Sequence, residues 1–360
     1  MLESFVPVTI GVDVGGTKVL AGVVDPDGTI LRTARRSTPG RRVDAGLVER
    51  AIAEAVVEVA QGAQVHAVGV AAAGFVDRDG RRVMFAPHLP WQGEDVRTRL
   101  QGLIGTTVVL DNDANAAAWA EFRHGAASGT GSAIMVTLGT GIGGAIVIDG
   151  RLWRGRNGMA GEFGHMQVVP NGHPCECGGR GCWEQYSSGN ALVRVARGRI
   201  GLEPTVLEDL CGGVPESLTG PMVTEAAEGG DLVARAAFAE VGDWLGVGLA
   251  NLVAAFDPDR IVVGGGVSAA GDRLLEPARR ALLRSLVGAG HREVPEVVRA
   301  ALGPEAGMVG AADLARLHGG RETSGWRWRS RKALPGAATP TTGSQARARR
   351  RAARGTDRRR

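Results

Sequence analysis

Three of the chain's four cysteines, Cys175, Cys177 and Cys182, fall within eight positions of GEFGHMQVVPNGHPCECGGRGCWEQ, residues 161 to 185. His165 lies ten residues ahead of the first, and Glu162, Glu176 and Glu184 are interleaved. Cys-x-Cys-x4-Cys with an upstream histidine offers four soft or borderline donors, the set used by a closed tetrahedral Zn²⁺ site of the Cys3His type. Gly178, Gly179 and Gly181 permit the tight loop that such closely spaced ligands need. His165 and His173 compete for the fourth place. His173 stands two residues from Cys175 and would strain the loop, so His165 is the expected ligand. Four protein ligands leave no open position, which points to a structural metal rather than a catalytic one. The competing reading is three thiols without metal. Under reducing conditions, clustered cysteines with a nearby histidine favour the metal.

Two glycine-rich turns offer a second kind of chemistry. DVGGTK (13–18) and LGTGIGG (138–144) each follow a strand-like run. Backbone N–H groups in such turns can cradle phosphate oxygens. Neither fits Gly-x4-Gly-Lys-Ser/Thr, nor a dinucleotide glycine motif in a strand-to-helix context. Singly, each reads as a plain hairpin turn. As a pair, they suggest a nucleotide held between two halves of the molecule, by Gly15, Gly16, Thr17 and Lys18 on one side and Gly139, Thr140 and Gly141 on the other. Asp13 is placed to hold Mg²⁺ through water.

A third candidate is LDNDANAAAWAEF, where Asp111, Asn112 and Asp113 separate a strand from an Ala-rich helix. One of them is expected to cap that helix. A carboxylate there is also held ionised by the helix N-terminus. That suits a general base taking a proton from a substrate hydroxyl.

The elements that must position these residues follow a repeated plan. VTIGVDVG (8–15) alternates and is β-branched, so it reads as a strand, and two more strand-like runs flank the turn Asp25 to Gly28. Between Asp44 and Gly62, Val48, Ile52, Ala55, Val56 and Val59 recur at helical spacing. VHAVGVAAAG (65–74) reads as a buried strand running into a small-residue loop. Residues 132 to 155 repeat the layout of residues 8 to 31: strand, glycine-rich turn, strand, Asp-Gly turn, strand. A helix is expected over 240–259, stopping at Pro258, and it feeds the strand RIVVGGG and a loop, VSAAGD. Two related α/β halves result, each opening with a β-hairpin.

The chain has 360 residues and 44% hydrophobic content, enough for two cores. Its formal charge of +4 conceals an asymmetry. Residues 320 to 360 hold 13 Lys and Arg against Glu322 and Asp357, while residues 1 to 319 hold 29 basic against 36 acidic side chains. That tail is poor in large apolar residues and reads as disordered. ARARRRAARGTDRRR would attract nucleic acid or another polyanion in a salt-dependent way. The simpler reading is a solvated extension. No basic and apolar leader opens the chain, and no apolar run reaches the ~18 residues of a membrane span, so a cytoplasmic protein is expected.

Taken in order, DVGGTK, the AAAG loop, DNDANAAAWAE, LGTGIGGAIV, GEFGH and CECGGRGCWE resemble the ROK family of bacterial sugar kinases and sugar-responsive repressors. The resemblance spans about residues 8 to 315 and is closest to members that phosphorylate glucose. It implies a duplicated actin-like ATPase (ribonuclease H-like) fold with a central cleft. The small domain would be residues 1 to 112, completed by a helix near 304–319, and the large domain residues 113 to 303. It further implies that His165, Cys175, Cys177 and Cys182 bind a structural Zn²⁺. Glu162, His165, Glu184, Asn112 and the backbone at Gly74 would face the sugar, and Asp113 would be the catalytic base. GGGVSAAGD, with Gly264, Gly265 and Gly266, matches the loops that hold adenosine. The implied reaction is transfer from ATP, with Mg²⁺, to the C6 hydroxyl of glucose, by a homodimer or homotetramer. Alternatives are N-acetylmannosamine, N-acetylglucosamine, mannose or fructose as acceptor, polyphosphate as donor, or a sensor without catalysis. Repressors of the family carry a helix-turn-helix domain ahead of this body; about ten residues precede the first strand here. One departure is Ala73, where many members have Pro before the glycine of the sugar loop.

Overall fold

The structure, a computed structural model, describes residues 7–318. The basic segment 320–360, expected to be disordered, lies outside the described residues. The chain begins with β1 (Val8–Val14), β2 (Lys18–Val24) and β3 (Ile30–Ser37), then α1 (Ala45–Ala60) and β4 (Val65–Ala72). A short hairpin follows, β5 (Phe75–Val76) and β6 (Val83–Phe85), then α2 (Val96–Ile104), β7 (Thr107–Asn112) and α3 (Asp113–His124). The second half runs through β8 (Ala133–Leu138), β9 (Ile142–Ile148) and β10 (Arg151–Leu152) to α4 (Gly189–Arg197), α5 (Leu207–Leu210), α6 (Gly220–Glu228) and α7 (Leu232–Phe256). It ends with β11 (Arg260–Gly264), α8 (Asp272–Ser285), β12 (Glu296–Arg299) and α9 (Ala306–His318).

The two sheets have the same plan. One is ordered β3-β2-β1-β4-β7 and the other β10-β9-β8-β11-β12. In each, a hairpin pairs antiparallel with a third strand, and two parallel strands extend the other side. The layout repeat between residues 8–31 and 132–155 is therefore a structural duplication.

Alternation decides which side chains reach chemistry. On β1, Ile10, Val12 and Val14 enter the core formed with Val48, Ile52 and Val56 of α1. The period of two sends Gly11 and Asp13 to the opposite face, where α9 lies. There the helix comes unusually close. A Cβ at Gly11 would stand 1.9 Å from the Met308 carbonyl oxygen, and one at Gly69 of β4 only 1.8 Å from that of Ala311. Helix α9 in turn lies against α3, where a Cβ at Gly310 would stand 1.8 Å from the Ala116 oxygen. Gly69→Ala is therefore expected to cost about 2–3 kcal/mol, since backbone rather than a flexible side chain must yield. Urea unfolding of the variant measures it, and an unchanged midpoint would refute the close packing.

Helix α1 forms as the spacing predicts. The Asp44 side chain caps it by accepting from the Gly46 N–H, and Gln61 ends it in the left-handed region. Helix α7 departs from expectation, starting at Leu232 rather than near residue 240. Its first turns bury Val233, Ala234, Ala237 and Phe238, and Asp231 caps them by accepting from the Ala234 N–H. An Ala-rich stretch leaves little polar periodicity to read. It ends at Phe256, with Asp257 in the left-handed region, because the residue before a proline disfavours the helical conformation. VSAAGD, expected as a loop, contains a 3₁₀ turn over Gly266–Ala270.

Candidate active site

In-register pairing puts Asp13 beside Ala71, and Ala71 beside Asp111. These three residues form a row across β1, β4 and β7 on the face away from α1. The strand β7 then ends at Asn112 and α3 begins at Asp113. Asn112 is the cap, its Oδ1 accepting from the Asn115 N–H at 3.0 Å. Its two amide protons are also engaged: Nδ2 donates to the Gly74 carbonyl at 3.1 Å and to Asp113 Oδ1 at 2.9 Å. Asn112 thus ties the backbone at Gly74 to the carboxylate.

Asp113 accepts a second bond at Oδ1 from the Ala114 N–H, at 2.9 Å. Burial, then the negative charge of Asp13, pushes its carboxyl up to about 6, with a further contribution from Glu162 and against the bond from Ala114. Burial also raises Asp13, although Lys18 at the head of β2 pulls it back. The two carboxylates therefore face each other with one lysine near them. A divalent cation is the ion that such a pair accommodates, so Asp13 fits a Mg²⁺ held through water.

The loop at Ala73 and Gly74 is tied to its neighbours by backbone bonds. The Ala73 N–H donates to the Val14 carbonyl at 3.0 Å, and the Gly74 N–H to that of Ala72 at 2.8 Å. A proline at position 73 could not make the first bond. Ala73 replaces ring stiffness with a tether to β1.

The second glycine-rich hairpin is packed from two sides. The Gly189 N–H at the start of α4 donates to the Gly139 carbonyl at 2.8 Å. Gly265, at φ 81°, passes over the end of β8, where a Cβ would stand 2.4 Å from the Leu138 oxygen. So the end of β8, just ahead of Gly139, lies against Gly265. Gly139, Thr140, Gly265 and Gly266 are exposed to solvent, while Gly264 is buried at the end of β11. In the first hairpin, the Gly15 N–H donates to the Lys18 carbonyl and Thr38 Oγ1 donates to the Gly15 carbonyl, leaving Thr17 exposed. A Cβ at Gly16 would meet His88 Cβ at 2.6 Å.

His165, Cys175, Cys177 and Cys182 converge, with their donor atoms all within 4.8 Å of one another. Cys177 Sγ and Cys182 Sγ are 3.6 Å apart, and Cys175 Sγ is 3.6 Å from His165 Nδ1. The edge of a tetrahedral thiolate site is about 3.8 Å for ordinary zinc–sulfur bonds, so the set fits Zn²⁺. His173 is elsewhere, its ring 5.2 Å from that of Tyr186. Burial pushes the Cys175 thiol up to about 12, with a further push from its bond to Glu184, whereas the Gly179 N–H lowers Cys177. Trp183 anchors the loop. It is fully buried against Gly248 of α7, and its Nε1 donates to the Trp244 carbonyl at 2.8 Å. That fixes Cys182 on one side and Glu184 on the other.

Glu184 joins the parts. Its Oε1 lies 3.2 Å from Cys175 Sγ and 3.6 Å from His165 Nδ1, and its Oε2 accepts from the Ile142 N–H at 3.4 Å, beside Gly141. Glu162 is raised by burial and by Glu184, and lowered by His165. One connected set of charges therefore runs from Asp13 through Asp113 and Glu162 to His165 and Glu184. Sequence reasoning missed Arg154, whose Nε donates to Asp111 Oδ2 at 2.9 Å and whose second nitrogen binds the same oxygen. Asp111 was visible in its turn, but its partner lies 43 positions away, beyond any local signal.

Duplicated hairpin-led sheets with a carboxylate at a strand–helix junction between two glycine turns define the actin-like ATPase fold in its sugar-kinase form. The ROK family model matches residues 9–318, and the chain belongs to the ROK family. It is 47% identical over 311 residues to a glucokinase of Streptomyces coelicolor, covering 86% of this chain and 97% of that one. A glucokinase of Thermotoga maritima is 36% identical over 312 residues, covering 85% of this chain and 96% of its own length. Among solved structures, a ROK family glucokinase from Streptomyces griseus in complex with glucose and AMPPNP superposes with a TM-score of 0.77 at 48% identity, covering 86% and 99% of the two chains. Among the described residues, no helix is long and apolar enough to cross a membrane.

Proposed function

We propose that this chain phosphorylates glucose at its C6 hydroxyl with ATP as donor, giving glucose 6-phosphate. The carrying observation is Asp113: a carboxylate at a helix N-terminus, pushed up to about 6 by burial and by Asp13. Such a base is ionised at neutral pH yet basic enough to accept a hydroxyl proton as the oxygen attacks. Relatives named glucokinases, one solved with glucose and AMPPNP, supply the substrates.

In this reading Glu162, His165 and Glu184 bind sugar hydroxyls, with Asn112 and the Gly74 backbone completing the pocket. His165 turns Nδ1 to the cysteines, which leaves Nε2 for the sugar. Asn112 keeps Asp113 aimed. Gly15 and Gly139 close the two turns, their N–H groups donating to the Lys18 and Gly141 carbonyls, and the backbone N–H groups of Gly16 and Thr17, and of Thr140 and Gly141, donate to phosphate oxygens, while Lys18 adds charge. Gly264, Gly265 and Gly266 border the adenosine. Mg²⁺, near Asp13, supplies charge neutralisation on the phosphates when bound. Zn²⁺ on His165, Cys175, Cys177 and Cys182 is structural, holding the loop that presents His165 and Glu184. Residues 1–112 with α9 act as the small domain and 113–303 as the large one. A cytoplasmic homodimer or homotetramer belongs to the same reading, checked by light scattering.

The test is coupled-assay turnover on a panel of hexoses with ATP and with polyphosphate. Faster turnover of N-acetylmannosamine than of glucose would reassign the acceptor. A pH profile adds a second check. Because protonated Asp113 cannot accept a proton, kcat/KM for glucose is expected to fall as pH drops through about 6. A profile flat from about pH 5 to 7 would remove Asp113 from the base role.

A further inference from the structure

We infer that Arg154 and Asp111 are a positioning pair that sets the base-bearing turn against the sugar-binding loop, a role that rests on the kinase reading above. Asp111 is 4% exposed, and both carboxylate oxygens are committed. Its Oδ2 takes two nitrogens of Arg154. Its Oδ1 accepts from the Asn112 N–H and from Asn115 Nδ2, each at 2.9 Å. Those two asparagines hold the first turn of α3: Asn112 caps it and donates to Asp113. A continuous path therefore runs from Arg154 to Asp111, to Asn112, to the carboxylate that takes the proton.

The other end of the pair lies in the second half of the molecule. Arg154 follows β10, and its carbonyl accepts from the Ala160 N–H at 3.2 Å, closing the loop that leads to Gly161 and Glu162. Gly161 is locked against β9, where a Cβ would stand 2.4 Å from the Gly144 oxygen. The same loop lies on β5, since a Cβ at Gly158 would stand 2.2 Å from the Val76 oxygen. One ion pair thus joins the segment presenting Asn112 and Asp113 to the segment presenting Glu162. Neither Arg154 nor Asp111 is among the hydrogen-bond partners of Asp113. They act through position. A guanidinium offers two nitrogens to one carboxylate in fixed geometry, which lysine cannot copy.

The experiment compares wild type, R154K, D111N and the double variant. It reads kcat, KM for glucose, KM for ATP, glucose affinity by calorimetry and the thermal midpoint. Loss of registration is expected to lower kcat about 10- to 100-fold and to raise KM for glucose several-fold, because small misplacements of reacting groups are costly. KM for ATP should stay within about twofold, and the double variant should be no worse than the poorer single. A merely structural pair would lower the thermal midpoint and leave kcat and KM for glucose within about twofold in the folded protein; that result overturns the inference. If R154K fails to fold, D111N gives the same readings. If the wild type phosphorylates no hexose of the panel, the kinase reading fails by itself. The pair is then judged by affinity for whichever hexose of the panel the wild type binds, and unchanged affinity in both variants rejects it.

Discussion

Asp113→Asn is expected to fold normally and to lose about 10²- to 10⁴-fold in kcat with glucose, with little change in KM for either substrate. Asparagine keeps an acceptor for the Ala114 N–H and for Asn112 Nδ2, so the turn survives. What disappears is the proton acceptor. The same variant is expected to be more stable than the wild type above pH 6. Burial and Asp13 hold the Asp113 carboxyl up to about 6, well above the ordinary carboxylate range near 4. Between those values the folded state binds more proton than the unfolded state, so stability falls as pH rises through the window. Above it the full cost of the buried charge is present, on the order of 1–2 kcal/mol after allowing for the carboxylate's partial exposure. Asparagine carries no such cost. The stability gain should shrink as pH falls from about 6 to about 4 and vanish below about 4, where the wild-type carboxyl is neutral in both states. Urea unfolding at several pH values, beside kinetics, separates the two effects. A variant with near wild-type kcat, or one less stable than the wild type at neutral pH, would contradict the assignment.

Much of this arrangement is written in short-range pattern. The hairpin layout shared by residues 8–31 and 132–155 announced a duplication, and both sheets carry the same strand order. β-branched alternation and helical spacing are local properties, so α1, β4 and the β7–α3 junction were readable within a residue or two. The cysteine spacing was readable for the same reason, since Cys175, Cys177 and Cys182 share one tight loop. What stayed hidden is long-range. Arg154 is one of many arginines in the chain, and only folding brings it to Asp111. The opposition of Asp13 to Asp113 depends on strand order and on which face α9 covers. The early start of α7 was obscured because its first turns are buried among apolar neighbours and show no polar stripe. The Ala73 tether to Val14 could not be seen either, because its acceptor sits on another strand.

Cys182→Ser is expected to lose bound zinc and to raise KM for glucose about tenfold or more, with a lower thermal midpoint. The donor atoms of His165, Cys175, Cys177 and Cys182 lie within 4.8 Å of one another, so removing one opens a closed four-ligand set. The consequence for sugar comes through Glu184. With Cys175 as a thiol, its Sγ lies 3.2 Å from Glu184 Oε1 and donates to it. A thiolate holding a metal would have no proton to give, and on the proposed reading Glu184 Oε1 would then be open to a sugar hydroxyl. On the proposed reading, zinc loading and sugar affinity would thus be coupled through one carboxylate, while Trp183, buried against Gly248, holds the loop against α7. The loss should accordingly fall on KM for glucose more than on KM for ATP. Metal analysis, thermal melts and kinetics on the variant give the comparison, and chelator treatment of the wild type followed by zinc addition should reproduce and then reverse it. Cys211→Ser is the control, because Cys211 is buried outside the cluster and donates to the Glu208 carbonyl. If C182S retains a full equivalent of zinc, or if zinc-free wild type keeps its KM for glucose, the metal does not organise the sugar site.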